Sequence, residues 1–119
     1  MSDFKSSQYG TCTLTVKHAC PIELTIHIIG GKWKGIILFL LSQSPMNYNA
    51  IRREIPGVTQ RILTLQLRDM EKDGIIEREE TSDYPKKVIY YLTALGEDLI
   101  PIIKSIEKWG NAYMRKGFE

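Results

Sequence analysis

Apolar residues recur at helical spacing over most of this chain and switch to strand-like alternation once, between Ile75 and Leu92. The first stripe is Ile22, Ile26 and Ile29, in a segment opened by Cys20-Pro21. Proline suits a first helical position because its φ is already fixed and the N–H it lacks would be unpaired there. Gly30-Gly31 breaks the pattern. A second helix, read from Lys32, then carries Trp33, Ile36, Ile37, Leu40 and Leu41 at i, i+3, i+4, i+7, i+8 spacing and is expected to be mostly buried. Ser44-Pro45 marks a turn and Met46 to Tyr48 a very short strand. Asn47 or Asn49 can cap a short helix ending near Ile55, with Ile51 and Ile55 inward.

Pro56-Gly57-Val58 reads as a tight turn, and Thr59 as the cap of a helix from Gln60 to about Asp73. Gly74 ends that helix, since glycine takes positive φ without strain. Two strand-like runs follow, Ile75 to Glu80 and Lys87 to Leu92, joined by the polar turn Thr81-Ser82-Asp83-Tyr84-Pro85. Thr93 caps a final helix whose stripe is Leu95, Leu99, Ile102, Ile103, Ile106, Trp109 and Tyr113, with a bend expected at Pro101. The fold class is therefore α+β and mainly helical: a winged helix-turn-helix with extra helices at both ends.

A length of 119 residues with 43% apolar content suits one domain with one modest core. We read residues 1–19 as a flexible polar arm and residues 20–119 as the folded unit. The formal charge of +2, from 16 basic and 14 acidic residues, favours no partner, so charge placement has to decide. No apolar run approaches the roughly 20 residues of a membrane helix, and no signal-peptide layout is present, so a soluble cytoplasmic protein is expected. The cysteines, Cys12 and Cys20, are too few for a disulfide framework.

In a helix-turn-helix the second helix lies in the major groove with its N-terminal half toward the bases. At roughly 100° per residue, the helix from Gln60 places Ile62, Leu63, Leu67 and Met70 on one side. Gln60, Arg61, Thr64, Leu65 and Arg68 project from the other. These side chains can read duplex DNA: arginine pairs with guanine or phosphate, glutamine with adenine, and leucine meets the thymine methyl. No acid occurs between Ile55 and Arg68, whereas Asp69, Glu71 and Asp73 crowd the other end. Thr59, Arg52, Arg53, and Lys86 and Lys87 beside the hairpin turn complete the candidate DNA-binding set.

The runs Cys20-Pro21-Ile22-Glu23, Ile29-Gly30-Gly31-Lys32-Trp33 and Ile55-Pro56-Gly57-Val58-Thr59-Gln60 resemble the HxlR family of bacterial regulators. So do Leu63-Thr64, Leu67-Arg68, Asp73-Gly74 and Tyr91-Leu92-Thr93-Ala94-Leu95-Gly96, with the spacing kept from Cys20 to about Tyr113. The resemblance implies a winged helix related to the MarR type, a homodimer built through the terminal helices, and control of transcription near a promoter, repression being the commoner outcome. Independently, the terminal stripes offer more apolar helix face than a winged-helix core needs, and surplus face is usually buried against a partner. A twofold dimer would set its recognition helices about 34–36 Å apart and favour a pseudo-palindromic operator.

Cys20, at a helix start, sits where backbone N–H groups can stabilise a thiolate, and some HxlR-type regulators sense oxidants or electrophiles through an N-terminal cysteine. A buried structural thiol is the other reading of Cys20. Cys12, His18, Cys20 and His27 match no common zinc spacing, so no metal or other cofactor is expected. Gly30-Gly31-Lys32-Trp33-Lys34-Gly35 lacks the pattern of a phosphate loop, and neither histidine stands beside a nucleophile, so no enzyme is expected. The same fold can also serve protein contacts without DNA. The sequence names no effector.

Overall fold

Short polar side chains start the helices that follow a turn. Asn47 Oδ1 accepts the Ala50 N–H at 2.8 Å, Thr59 Oγ1 accepts that of Ile62 at 3.1 Å, and Thr93 Oγ1 accepts that of Gly96 at 3.1 Å. Each bond satisfies a donor that the first helical turn leaves without a backbone partner. The computed structural model describes residues 20–82 and 84–117, so the arm of residues 1–19, with Cys12 and His18, lies outside the described residues. The element order is α1 (Pro21–Ile29), α2 (Lys34–Gln43), β1 (Met46–Asn47), α3 (Tyr48–Glu54), α4 (Gln60–Lys72), β2 (Ile76–Glu80), β3 (Val88–Leu92), α5 (Ala94–Glu97) and α6 (Ile100–Arg115). This is a winged helix-turn-helix with additional terminal helices.

The strands form one antiparallel sheet in the order β1-β3-β2. Met46 pairs with Tyr90 across β1 and β3, and Ile76 with Leu92 across β2 and β3. That register puts Tyr90 on the core side, against a cluster built from Ile37, Leu38 and Leu41 of α2, Ile51 of α3, and Leu63, Leu67 and Met70 of α4. The predicted inward residues of α3 and α4 are thus in the core, except that Ile62 is only half-buried.

The end of α4 shows why a glycine stands at Gly74. The Ile75 N–H reaches the Met70 carbonyl at 3.0 Å and the Gly74 N–H reaches that of Glu71 at 3.0 Å. This pairing needs left-handed backbone between the helix and the strand, and Gly74 supplies it with φ of +78°.

Two elements differ from the periodicity. The second helix begins at Lys34 rather than Lys32, and its buried face is Lys34, Ile37, Leu38 and Leu41, while Ile36 is 42% and Phe39 37% exposed. An almost wholly apolar helix has no unique inward side by pattern, and packing chose the side that joins the common core. The predicted continuous C-terminal helix is two, broken at Asp98 and Leu99. Pro101 falls in the first turn of α6, where its missing N–H leaves no bond unmade, so it starts a helix instead of bending one. Leu95, expected in the apolar stripe, is exposed.

Candidate nucleic-acid interface

The turn Ile55 to Thr59 joins α3 to α4, and burial of Ile55 and Val58 anchors it to the core. Anchoring one side of α4 through Leu63, Leu67 and Met70 fixes which side faces out. Gln60, Arg61, Thr64, Leu65 and Arg68 together line a shallow concavity of about 500 Å³ on that side. Leu65, on its lining, is 47% exposed, an apolar group that the core does not use. Arg52 and Arg53, in the last turn of α3, line a second concavity with Asn49 and are both exposed. Thr59 is exposed but its hydroxyl caps α4, so its oxygen already has a backbone partner.

Two of the acids in the C-terminal half of α4 have basic partners elsewhere on the protein. Asp69 lies 3.8 Å from Lys34, whose side chain is only 9% exposed, and Glu71 lies 3.8 Å from Arg78 of β2. The N-terminal half of the helix is left with arginine as its only charge. The hairpin is electrostatically mixed. Lys86 and Lys87 stand exposed beside its turn, held by a backbone bond from the Thr81 N–H to the Lys87 carbonyl at 2.8 Å. Glu77, Glu79 and Glu80 are also exposed along β2, so the basic part of the wing is its tip. Tyr91 Oη donates to Glu77 Oε1 at 2.8 Å, and that bond, with burial and the nearby carboxylates of Glu77 and Glu79, holds the phenol above its usual titration range.

Periodicity gave no signal for Tyr48. It occupies the first position of α3, yet its hydroxyl donates to the Gln60 carbonyl at 3.0 Å and lies 3.3 Å from Thr64 Oγ1. The phenol therefore ties the first helix of the pair to the opening turn of the second. Cys20 is the residue before α1 and is 3% exposed, with its carbonyl accepting the Leu24 N–H at 2.8 Å. The described residues contain no group of three or more metal-ligating side chains, and none of their helices is by itself long and apolar enough to cross a membrane.

A separate face is apolar. Ile26, Ile29, Ile36, Phe39, Ile103 and Ile106 border an open groove between α1, α2 and α6. Ile22 of α1 and Ile102, Trp109 and Met114 of α6 are also exposed, with Trp109 stacked on Tyr113 at a centroid distance of 5.2 Å.

A three-stranded wing, a helix pair with a polar, acid-poor outer face, and flanking helices define a winged helix-turn-helix protein of the transcriptional-regulator class. The chain belongs to the HxlR-like helix-turn-helix family, which matches residues 28–118. It is 49% identical over 94 residues to the uncharacterised HTH-type transcriptional regulator YdeP of Bacillus subtilis (strain 168), covering 79% of this chain and 73% of that one. Among solved structures, the redox regulator HypR in its oxidised form superposes with a TM-score of 0.75 at 46% identity, over 78% of this chain and 96% of HypR. The reduced form of the transcriptional regulator YodB from B. subtilis superposes with a TM-score of 0.74 at 30% identity, over 82% of this chain and 97% of YodB.

Proposed function

We propose that this protein is a sequence-specific regulator that binds duplex DNA as a homodimer in the cytoplasm and represses transcription by occupying a promoter. The observation that carries the reading is the outer face of α4, where Gln60, Arg61, Thr64, Leu65 and Arg68 meet in one acid-free concavity. Such a face offers hydrogen-bond donors, an acceptor and an apolar group to the floor of a major groove. Arg52, Arg53, Lys86 and Lys87 flank it as phosphate contacts that set register without reading sequence. The open apolar face on α1, α2 and α6 is where the second copy docks, since contiguous apolar surface of this kind marks an association site.

Duplexes selected from random DNA, followed by a salt titration, test the reading. Affinity should fall steeply as salt rises, because each neutralised phosphate releases counterions. Arg61→Ala should weaken the selected duplex by about 1–3 kcal/mol and relax preference at one position, while Lys87→Ala weakens all sequences alike. A chain that selects nothing and binds no duplex at any salt is instead a protein-contact module on the same fold.

Control by a thiol is a second reading, supported by the likeness to HypR and by the place of Cys20 before α1. Its thiol is buried, so an oxidant would reach it through movement of α1, whose Ile28 and Ile29 are partly buried against the core.

A further inference from the structure

We infer that Tyr48 is a specificity-positioning residue that makes Thr64 select an amino base over a keto base at one position of each half-site; this rests on the DNA-reading role of α4 proposed above. The inference follows from where two protons can go. A phenol has one O–H, and a carbonyl oxygen can only accept. Tyr48 Oη lies 3.0 Å from the Gln60 carbonyl, so its proton is committed there. Either oxygen could donate across the 3.3 Å contact between Tyr48 Oη and Thr64 Oγ1; with the phenol's single proton on the Gln60 carbonyl, we assign the threonine as donor.

The carbonyl taken by Tyr48 is the one a helical threonine ordinarily uses. A threonine inside a helix tends to turn its hydroxyl back to the carbonyl four residues earlier, which for Thr64 is that of Gln60. Tyr48 occupies this acceptor from α3 and offers its own oxygen in exchange. The Thr64 proton is thereby drawn inward, while its oxygen keeps lone pairs toward the concavity it shares with Arg61, Leu65 and Arg68. Thr64 meets DNA as an acceptor. In the major groove the complementary groups are the N6 amine of adenine and the N4 amine of cytosine; guanine O6 and thymine O4 are acceptors and would oppose it. Gln60 and the arginines read their own positions, so the effect belongs to one base.

Selection from random duplex DNA with the full chain tests this. The wild type should enrich adenine or cytosine over guanine or thymine at one position per half-site, by roughly three- to tenfold for a single hydrogen bond. Tyr48→Phe should bring that position close to parity and leave the rest of the motif unchanged. Thr64→Val should lose the same preference and Thr64→Ser keep it, so a folding defect in one variant, visible as a lowered melting temperature, does not decide the result. If Tyr48→Phe retains the preference, weakens every position equally, or alters a different position from Thr64→Val, the inference is wrong while DNA reading by α4 stands. If the wild type selects no motif, the DNA-reading role itself fails and this assignment with it.

Discussion

Cys20 shows how a residue's chemistry depends on more than its place in the chain. It stands immediately before α1, yet at 3% exposure it is shielded from solvent oxidants. Thiol control is therefore expected to act through displacement of α1. Mild peroxide or quinone treatment should abolish binding to selected DNA in the wild type and leave Cys20→Ser bound, as read by fluorescence anisotropy; equal responses of the two proteins would remove Cys20 from any sensing role. Lys34 teaches the converse lesson. Nothing in the sequence marks it out, yet it is the buried charge among the described residues, and its partner Asp69 stands on α4.

Among the elements, α4 was legible and the C-terminal helices were not. Thr59, the Leu63, Leu67 and Met70 spacing and Gly74 all lie within one helix length, and local rules specify them fully. The break at Asp98 and Leu99 has another origin. Thr93 caps α5 and also donates to the Gly74 carbonyl at 2.6 Å, while Gly96 packs directly on the Ile75 carbonyl oxygen. These contacts pin α5 to the end of α4 and leave α6 to set off separately with Pro101 in its first turn. A Cβ at Gly96 would collide with that backbone oxygen, so Gly96→Ala should destabilise the fold by about 1–3 kcal/mol in urea unfolding, more than helix propensity can return. A stability equal to or above wild type would show that α5 is free to move away from β2.

At the scale of the whole molecule, the surface proposed to face DNA and the apolar surface are built from different elements. The first uses α3, α4 and the hairpin; the second uses α1, α6 and the outer side of α2, including Ile36 and Phe39. Trp109, 67% exposed and stacked on Tyr113, is the largest apolar group on the second surface. Trp109→Asp should convert a dimer to a monomer in sedimentation at micromolar concentration and, by separating the two reading heads, weaken binding to a two-half-site duplex far more than to a single half-site. A wild-type mass equal to one chain would show that this face meets something other than a second copy. In the proposed dimer the heads should lie one helical repeat apart, about 34–36 Å, so the spacing of selected half-sites tests that geometry.

The sequence by itself determined the element order as far as Thr93, the caps at Thr59 and Thr93, and the set of side chains on the outer face of α4. These depend on spacing within one helix or turn, and a periodicity of 3.6 residues fixes which side chains share a face. The tertiary structure decided everything that joins distant segments: which side of the apolar α2 is buried, where the C-terminal helices part, and the pairing of Lys34 with Asp69. It also brought the Tyr48 hydroxyl to the Gln60 carbonyl, across the turn between α3 and α4. A hydrogen bond of that kind has no periodic signature, because it depends on the angle at which two helices meet.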